Sequence, residues 1–187
     1  MKLSDAQVDE FHEQGYLFLP QCFTPAEIAV LKTEATKLYD LDRPEVWKED
    51  NGAPRTVFAA HTFSEPFDRL GAHPRLLGPV TQLLDGQVYM HQYKVNAKAA
   101  FDGDVWQWHQ DYGTWSRDDL MPEPRAMNIA LFLDDVSAVN GPLMIIPRSH
   151  RDGVYRAGHD LATTSYPLWT LARATIRRLA DAGGIVA

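Results

Sequence analysis

The sequence predicts an α+β protein in which helices come first and strands follow. Three observations carry that expectation. Apolar residues recur at helical spacing through residues 1–86, the period changes to alternation at Val88, and Gly, Pro and Asn-Gly turns separate the alternating runs. A sheet built late in such a chain is expected to curl into a barrel or sandwich.

The elements follow in order. Ser4 can cap a first helix, with Gln7 three residues on, Val8 and Phe11 on its apolar stripe and Gly15 at its end. Residues 16–20, Tyr-Leu-Phe-Leu-Pro, read as a short buried strand. Thr24-Pro25-Ala26-Glu27 is a second helix start, combining a cap, a proline in the first turn and a capping-box glutamate. Ile28, Leu31, Ala35 and Leu38 continue its apolar face. A third helix starts at Pro74 and runs to Leu84, before Gly86. Strands are expected at 88–98, 105–111, 125–134 and 143–147, and 168–182 has helical period again. We expect one domain over 1–187, with 1–86 mainly helical and 87–187 carrying the sheet.

Composition excludes several classes. The net charge of −7 disfavours nucleic acid as a partner. No apolar run approaches the ~20 residues of a membrane span. Cys22 is the single cysteine, so an intrachain disulfide is impossible and a reducing, cytoplasmic setting is expected. Oligomeric state is not encoded in any pattern we can read.

The chemistry concentrates in Trp106-Gln-Trp-His109-Gln-Asp111-Tyr. On a strand, residues i and i+2 share a face, so His109 and Asp111 can reach one metal ion. One more histidine would complete the 2-His-1-carboxylate set that holds Fe(II) with positions open. The spacing alone is a weak signal, and a hydrogen-bonded His-Asp pair at a strand end is its commoner source. The run from Tyr89 to Lys98 places Gln92, Lys94, Asn96 and Lys98 on one parity. That face suits solvent or a polar cavity, and its cations would suit a dicarboxylate.

Three segments in order resemble the phytanoyl-CoA dioxygenase superfamily of Fe(II)/2-oxoglutarate oxygenases. They are His91-Gln-Tyr-Lys-Val-Asn-Ala-Lys98, Asp104-Val-Trp-Gln-Trp-His-Gln-Asp-Tyr-Gly-Thr-Trp115 and Asn140-Gly-Pro-Leu-Met-Ile-Ile-Pro-Arg-Ser-His150. The likeness covers about residues 5–152 and is greatest to bacterial hydroxylases of free amino acids, such as proline and leucine, and of ectoine. It implies a double-stranded β-helix, or jelly-roll, core packed by N-terminal helices. It also implies Fe(II) with 2-oxoglutarate and O₂ as cosubstrates, and hydroxylation of a small free amino acid or related polar metabolite.

Carried over by position, His109 and Asp111 would ligate Fe(II). Lys98, with Asn96 beside it, would contact 2-oxoglutarate. Gln92 and Trp115 fall where the ectoine enzymes contact substrate, although Trp115 also reads as a core tryptophan. A carboxylate at 111 favours hydroxylation, since halogenating relatives carry a small residue there. His150 reads as structural. The family's distal histidine and its 2-oxoglutarate arginine have no match after His150, so a third ligand is not found and the core is expected to be incomplete at its C-terminal side, as in part of a longer chain. Two rivals stand beside this reading: a degenerate barrel that binds metal or ligand without turnover, and a cupin-type enzyme that uses no 2-oxoglutarate.

Overall fold

The computed structural model describes residues 1–101, 103–160 and 168–187. These form two compact units. The first comprises 1–4, 18–103 and 127–136; the second comprises 5–17, 104–126 and 137–187.

In the first unit, helix α2 (Pro25–Tyr39) begins as the sequence predicts. Thr24 Oγ1 accepts from the Glu27 amide at 3.3 Å, and Glu27 Oε2 accepts from the Thr24 amide at 2.8 Å. Leu31, Ala35 and Leu38 lie on one face of α2 and enter the core. There they meet an antiparallel sheet of β1 (Val46–Lys48), β2 (Pro54–Phe58) and β3 (Lys94–Asn96), in that order. Val57 pairs with Val46 on one side and Val95 on the other, and Val57 and Val95 are buried against the helix. Helices α3 (Glu65–Gly71) and α4 (Pro74–Leu83) follow the sheet's second strand, and Phe67 of α3 joins the same core. Tyr93 packs on it edge-on to Phe67 and donates its hydroxyl to the Phe67 carbonyl at 3.0 Å. Burial pushes its phenol pKa upward.

Glu27 does more than cap. Arg75 at the start of α4 donates to its carboxylate and to the Cys22 carbonyl, while the guanidinium lies 4.3 Å from the Phe23 ring centre. These bonds, chiefly that from Arg75, hold the Glu27 pKa down at about 2. A depressed folded pKa means stability present above the ordinary value of 4.5 and lost as pH falls from there towards 2. We therefore expect Glu27→Gln to flatten the acid limb of a urea-midpoint-versus-pH curve. A limb as steep as in the unmodified chain would remove Glu27 as its source.

The second unit holds α1 (Asp5–Gln14), α5 (Asp111–Asp118), an antiparallel hairpin of β4 (Ala157–Asp160) and β5 (Leu168–Leu171), and α6 (Arg173–Gly183). Among its described residues Trp115, Ile146 and Leu179 are the buried hydrophobic ones. Gly15 ends α1 with φ +81°, the left-handed conformation that closes a helix. Its neighbours come from the Pro147-Arg-Ser-His150 turn. The Arg148 amide donates to the Gln14 carbonyl at 2.8 Å, His150 Nε2 lies 3.1 Å from the His12 carbonyl, and Arg151 reaches both His12 and Glu13. Cationic and N–H groups thus meet the negative end of α1, giving His150 the structural role expected of it. A Cβ on Gly15 would sit 2.2 Å from His150 Nδ1. Gly15→Ala is expected to lower stability by about 1–2 kcal/mol from the φ alone, with more from the displaced ring. Chemical denaturation checks this, and an unchanged midpoint would refute the packing described.

Several expected strands are corrected. The run 88–98 contracts to Lys94–Asn96, and 105–111 and 143–147 keep only isolated bridges at His109 and Ile145. Residues 125–134 form no strand, although Leu131 and Leu133 pack on the first unit's core while Phe132 is exposed. Residues 16–20 form no strand either, and Phe18 is 70% exposed. For the alternating runs the cause is shared: alternation encodes which face a residue presents, whereas a ladder also needs a partner strand in register. The expected helix at 168–182 begins instead with β5, and α6 takes up at Arg173.

Candidate metal centre

Asp111 is not the end of a strand but the first residue of α5. A carboxylate in the first turn of a helix is stabilised by the helix N-terminus. The expected shared face nevertheless survives. Gln110 between the two candidates is extended, with φ −116° and ψ 123°, and His109 pairs with Thr170 in an isolated bridge. Both side chains therefore point to one side, and His109 Nε2 lies 3.3 Å from Asp111 Oδ1.

His109 is oriented by its other nitrogen. Nδ1 sits 2.5 Å from the Gln107 carbonyl, an acceptor-only partner, so Nδ1 donates there and Nε2 is the nitrogen turned towards Asp111. An imidazole held through one nitrogen by a carbonyl is the usual arrangement around a metal-ligating histidine. The spacing fits as well. Two donors about 2.1 Å from one ion at right angles stand ~3.0 Å apart, close to that seen between these two side chains. They are about three-quarters and two-thirds shielded from solvent, with exposures of 25% and 33%. On these grounds the pair fits two of the three protein ligands of a 2-His-1-carboxylate site. No third His, Cys, Asp or Glu joins it among the described residues.

The segment is pinned from two directions. On one side the Leu171 amide of β5 donates to the Trp108 carbonyl at 2.9 Å. On the other, the Gln110 amide reaches residues 153–155. The sequence reading missed both. The glutamine sits in plain view inside H-x-D, but a polar residue there reads as solvent-facing until its partners are known.

The remaining candidates are divided between the two units. Trp115 is 7% exposed within α5, and its carbonyl closes the helix end by accepting from the Asp119 and Met121 amides. Gln92, Asn96 and Lys98 belong to the first unit and are exposed on the parity opposite to Val95. Asn96 Oδ1 accepts from Thr56 Oγ1 at 2.9 Å across the sheet, and Lys98 Nζ donates to the Gly103 carbonyl at 3.3 Å. Missed altogether were β1 and β2, although Asn51-Gly52 at their turn is a strong hairpin signal and Gly52 adopts φ +86°.

Residues 11–186 match the phytanoyl-CoA dioxygenase (PhyH) family model, and the chain belongs to that family. It is 41% identical over 153 residues to L-proline trans-4-hydroxylase from Streptomyces griseoviridis, covering 81% of this chain and 57% of that protein. It is 35% identical over 196 residues to ectoine dioxygenase from Halomonas elongata, covering 99% and 59%. EctD from S. alaskensis, solved with 2-oxoglutarate and 5-hydroxyectoine, superposes with a TM-score of 0.85 at 32% identity over 99% of this chain and 63% of that one. EctD with bound Fe gives 0.84 at 33%, over 99% and 64%. The chain thus shares the EctD fold and spans less than two thirds of the length of these relatives. No helix among the described residues is long and apolar enough to cross a membrane.

Proposed function

We propose that this chain carries the metal-binding part of an Fe(II)/2-oxoglutarate-dependent dioxygenase that hydroxylates a small free amino acid or a related polar metabolite. The observation that carries the reading is the His109 Nε2–Asp111 Oδ1 pair at 3.3 Å, with His109 Nδ1 held by a backbone carbonyl. Membership of the family and the names of its relatives supply the reaction class and the substrate size. Bound there, Fe(II) would couple the decarboxylation of 2-oxoglutarate by O₂ to hydroxylation of an unactivated C–H bond.

The chain's own groups then divide the work. His109 and Asp111 supply one neutral and one anionic ligand on a common face. Lys98, and Asn96 beside it, are assigned to the carboxylates of 2-oxoglutarate by their place in the family motif, a task that suits an ammonium and an amide. Gln92 is assigned to substrate on the same ground. Trp115 is assigned there too, although its burial in α5 suits the core role as well. We read the core as a double-stranded β-helix that this chain contributes in part, on the likeness to EctD and the share of its relatives that is spanned. A cytoplasmic setting goes with the free, half-buried thiol of Cys22.

One observation favours the second reading, metal binding without turnover: among the described residues no third ligand joins the pair. Anaerobic titration with Fe(II) and 2-oxoglutarate separates the two, followed by admission of O₂ in the presence of L-proline or ectoine. A visible charge-transfer band of the chelate, then consumption of 2-oxoglutarate, supports the dioxygenase. The band without consumption supports the binding protein, and a folded chain with no band defeats both.

A further inference from the structure

Resting on the metal-site reading above, we infer that Gln110 is a positioning residue for the metal ligands, acting through the backbone that carries them. Gln110 stands between His109 and Asp111 in the chain and, being extended, turns its side chain to the opposite side from theirs. It occupies the cap position before α5, yet its side chain makes no capping hydrogen bond there. Instead both ends of its amide are engaged elsewhere in the unit. Nε2 donates to the Gly153 carbonyl at 2.9 Å, and Oε1 accepts from the Tyr155 amide at 2.8 Å.

The two partners fix the orientation of the amide, because a carbonyl only accepts and a backbone N–H only donates. The side chain therefore takes the place of a peptide unit pairing with residues 153–155. On the far side of the same stretch, β5 pairs with residues 108 and 109. The extended backbone at 110 is held between these two braces, and its extension is what sets Nε2 of His109 beside Oδ1 of Asp111. Releasing Gln110 removes one brace while leaving both ligands and the His109–Gln107 bond in place.

The test is Mn(II) titration in the presence of 2-oxoglutarate, read by loss of the free-ion electron paramagnetic resonance signal, with thermal midpoints measured in parallel. Gln110→Met keeps the shape and removes both bonds, and we expect it to weaken Mn(II) binding by about 10- to 100-fold, the usual cost of removing an outer support of a ligand. Gln110→Glu keeps an acceptor for Tyr155 but sets a carboxylate against the Gly153 carbonyl, and its affinity should fall at least as far. Affinity within twofold of the unmodified chain, with only the thermal midpoint lowered, would make Gln110 a stability residue and overturn the inference. Should Gln110→Met fail to fold, Gln110→Glu decides on the same criterion. If the unmodified chain itself binds no Mn(II), the metal-site reading falls and the inference with it; binding by the unmodified chain and by Gln110→Met alike overturns the inference alone.

Discussion

His109→Ala is expected to abolish the chelate band and to weaken metal binding by more than about 100-fold, beyond what loss of an outer support costs. The reason is arithmetic of ligands. With His109 and Asp111 placed together and no third ligand joining them among the described residues, removing the imidazole leaves a single carboxylate. Asp111→Asn should act in the same direction, since it keeps the shape but removes the negative charge that a divalent ion requires. Added imidazole should partly restore binding to His109→Ala and not to Asp111→Asn. Unchanged affinity in His109→Ala, measured on a folded variant, would place the metal elsewhere and end the proposed assignment.

The largest expected effect on stability lies far from that chemistry, at the ion pair of Arg55 and Glu49. Arg55 Nη1 donates to both carboxylate oxygens of Glu49, at 2.8 and 2.9 Å, and the two side chains are 1% and 3% exposed. Arg55 sits on the central strand β2, whose backbone carbonyl also accepts from the Ala97 amide. A surface pair of the same geometry would contribute little, because water screens it. Here each charge has left water, so removing one partner takes from the other its ion pair without giving back its hydration. Glu49→Ala or Arg55→Ala is expected to cost about 3–5 kcal/mol in chemical denaturation. The double replacement Arg55→Met, Glu49→Leu is expected to recover most of that, since it removes both desolvation costs together. A cost below about 1 kcal/mol for Glu49→Ala would show that water reaches the pair.

What was legible in the sequence divides along physical lines. Helices α1, α2 and α4 were readable because caps and apolar spacing act within a few residues, as at Thr24-Pro25-Ala26-Glu27. The His109–Asp111 pairing was readable as well, since it needed only an extended residue between them. Even so, the reading assigned Asp111 to a strand, where a helix begins. Faces were readable where ladders were not. Leu131 and Leu133 turn inward and Phe132 outward, as alternation requires, yet no strand forms over them. The Arg55–Glu49 pair left no trace in the sequence, because nothing local tells a buried arginine on a strand from an exposed one. Gln110 was hidden for a similar reason: its partners lie more than 40 positions away, with |i−j| of 43 and 45.

The clamp at the end of α1 joins His12 to His150, 138 positions apart. Helix α1 leaves the ribosome long before the residues that satisfy its last carbonyls exist, and a ten-residue helix is marginal by itself. The first unit, by contrast, gathers its sheet and helices mostly from 18–103, a stretch completed early. The second unit has to close a loop across nearly the whole chain before its long-range contacts give any return. Synthesis order therefore makes the unit bearing His109 and Asp111 the later of the two to mature, so that pair is set in place after the first unit's sheet and helices can have formed.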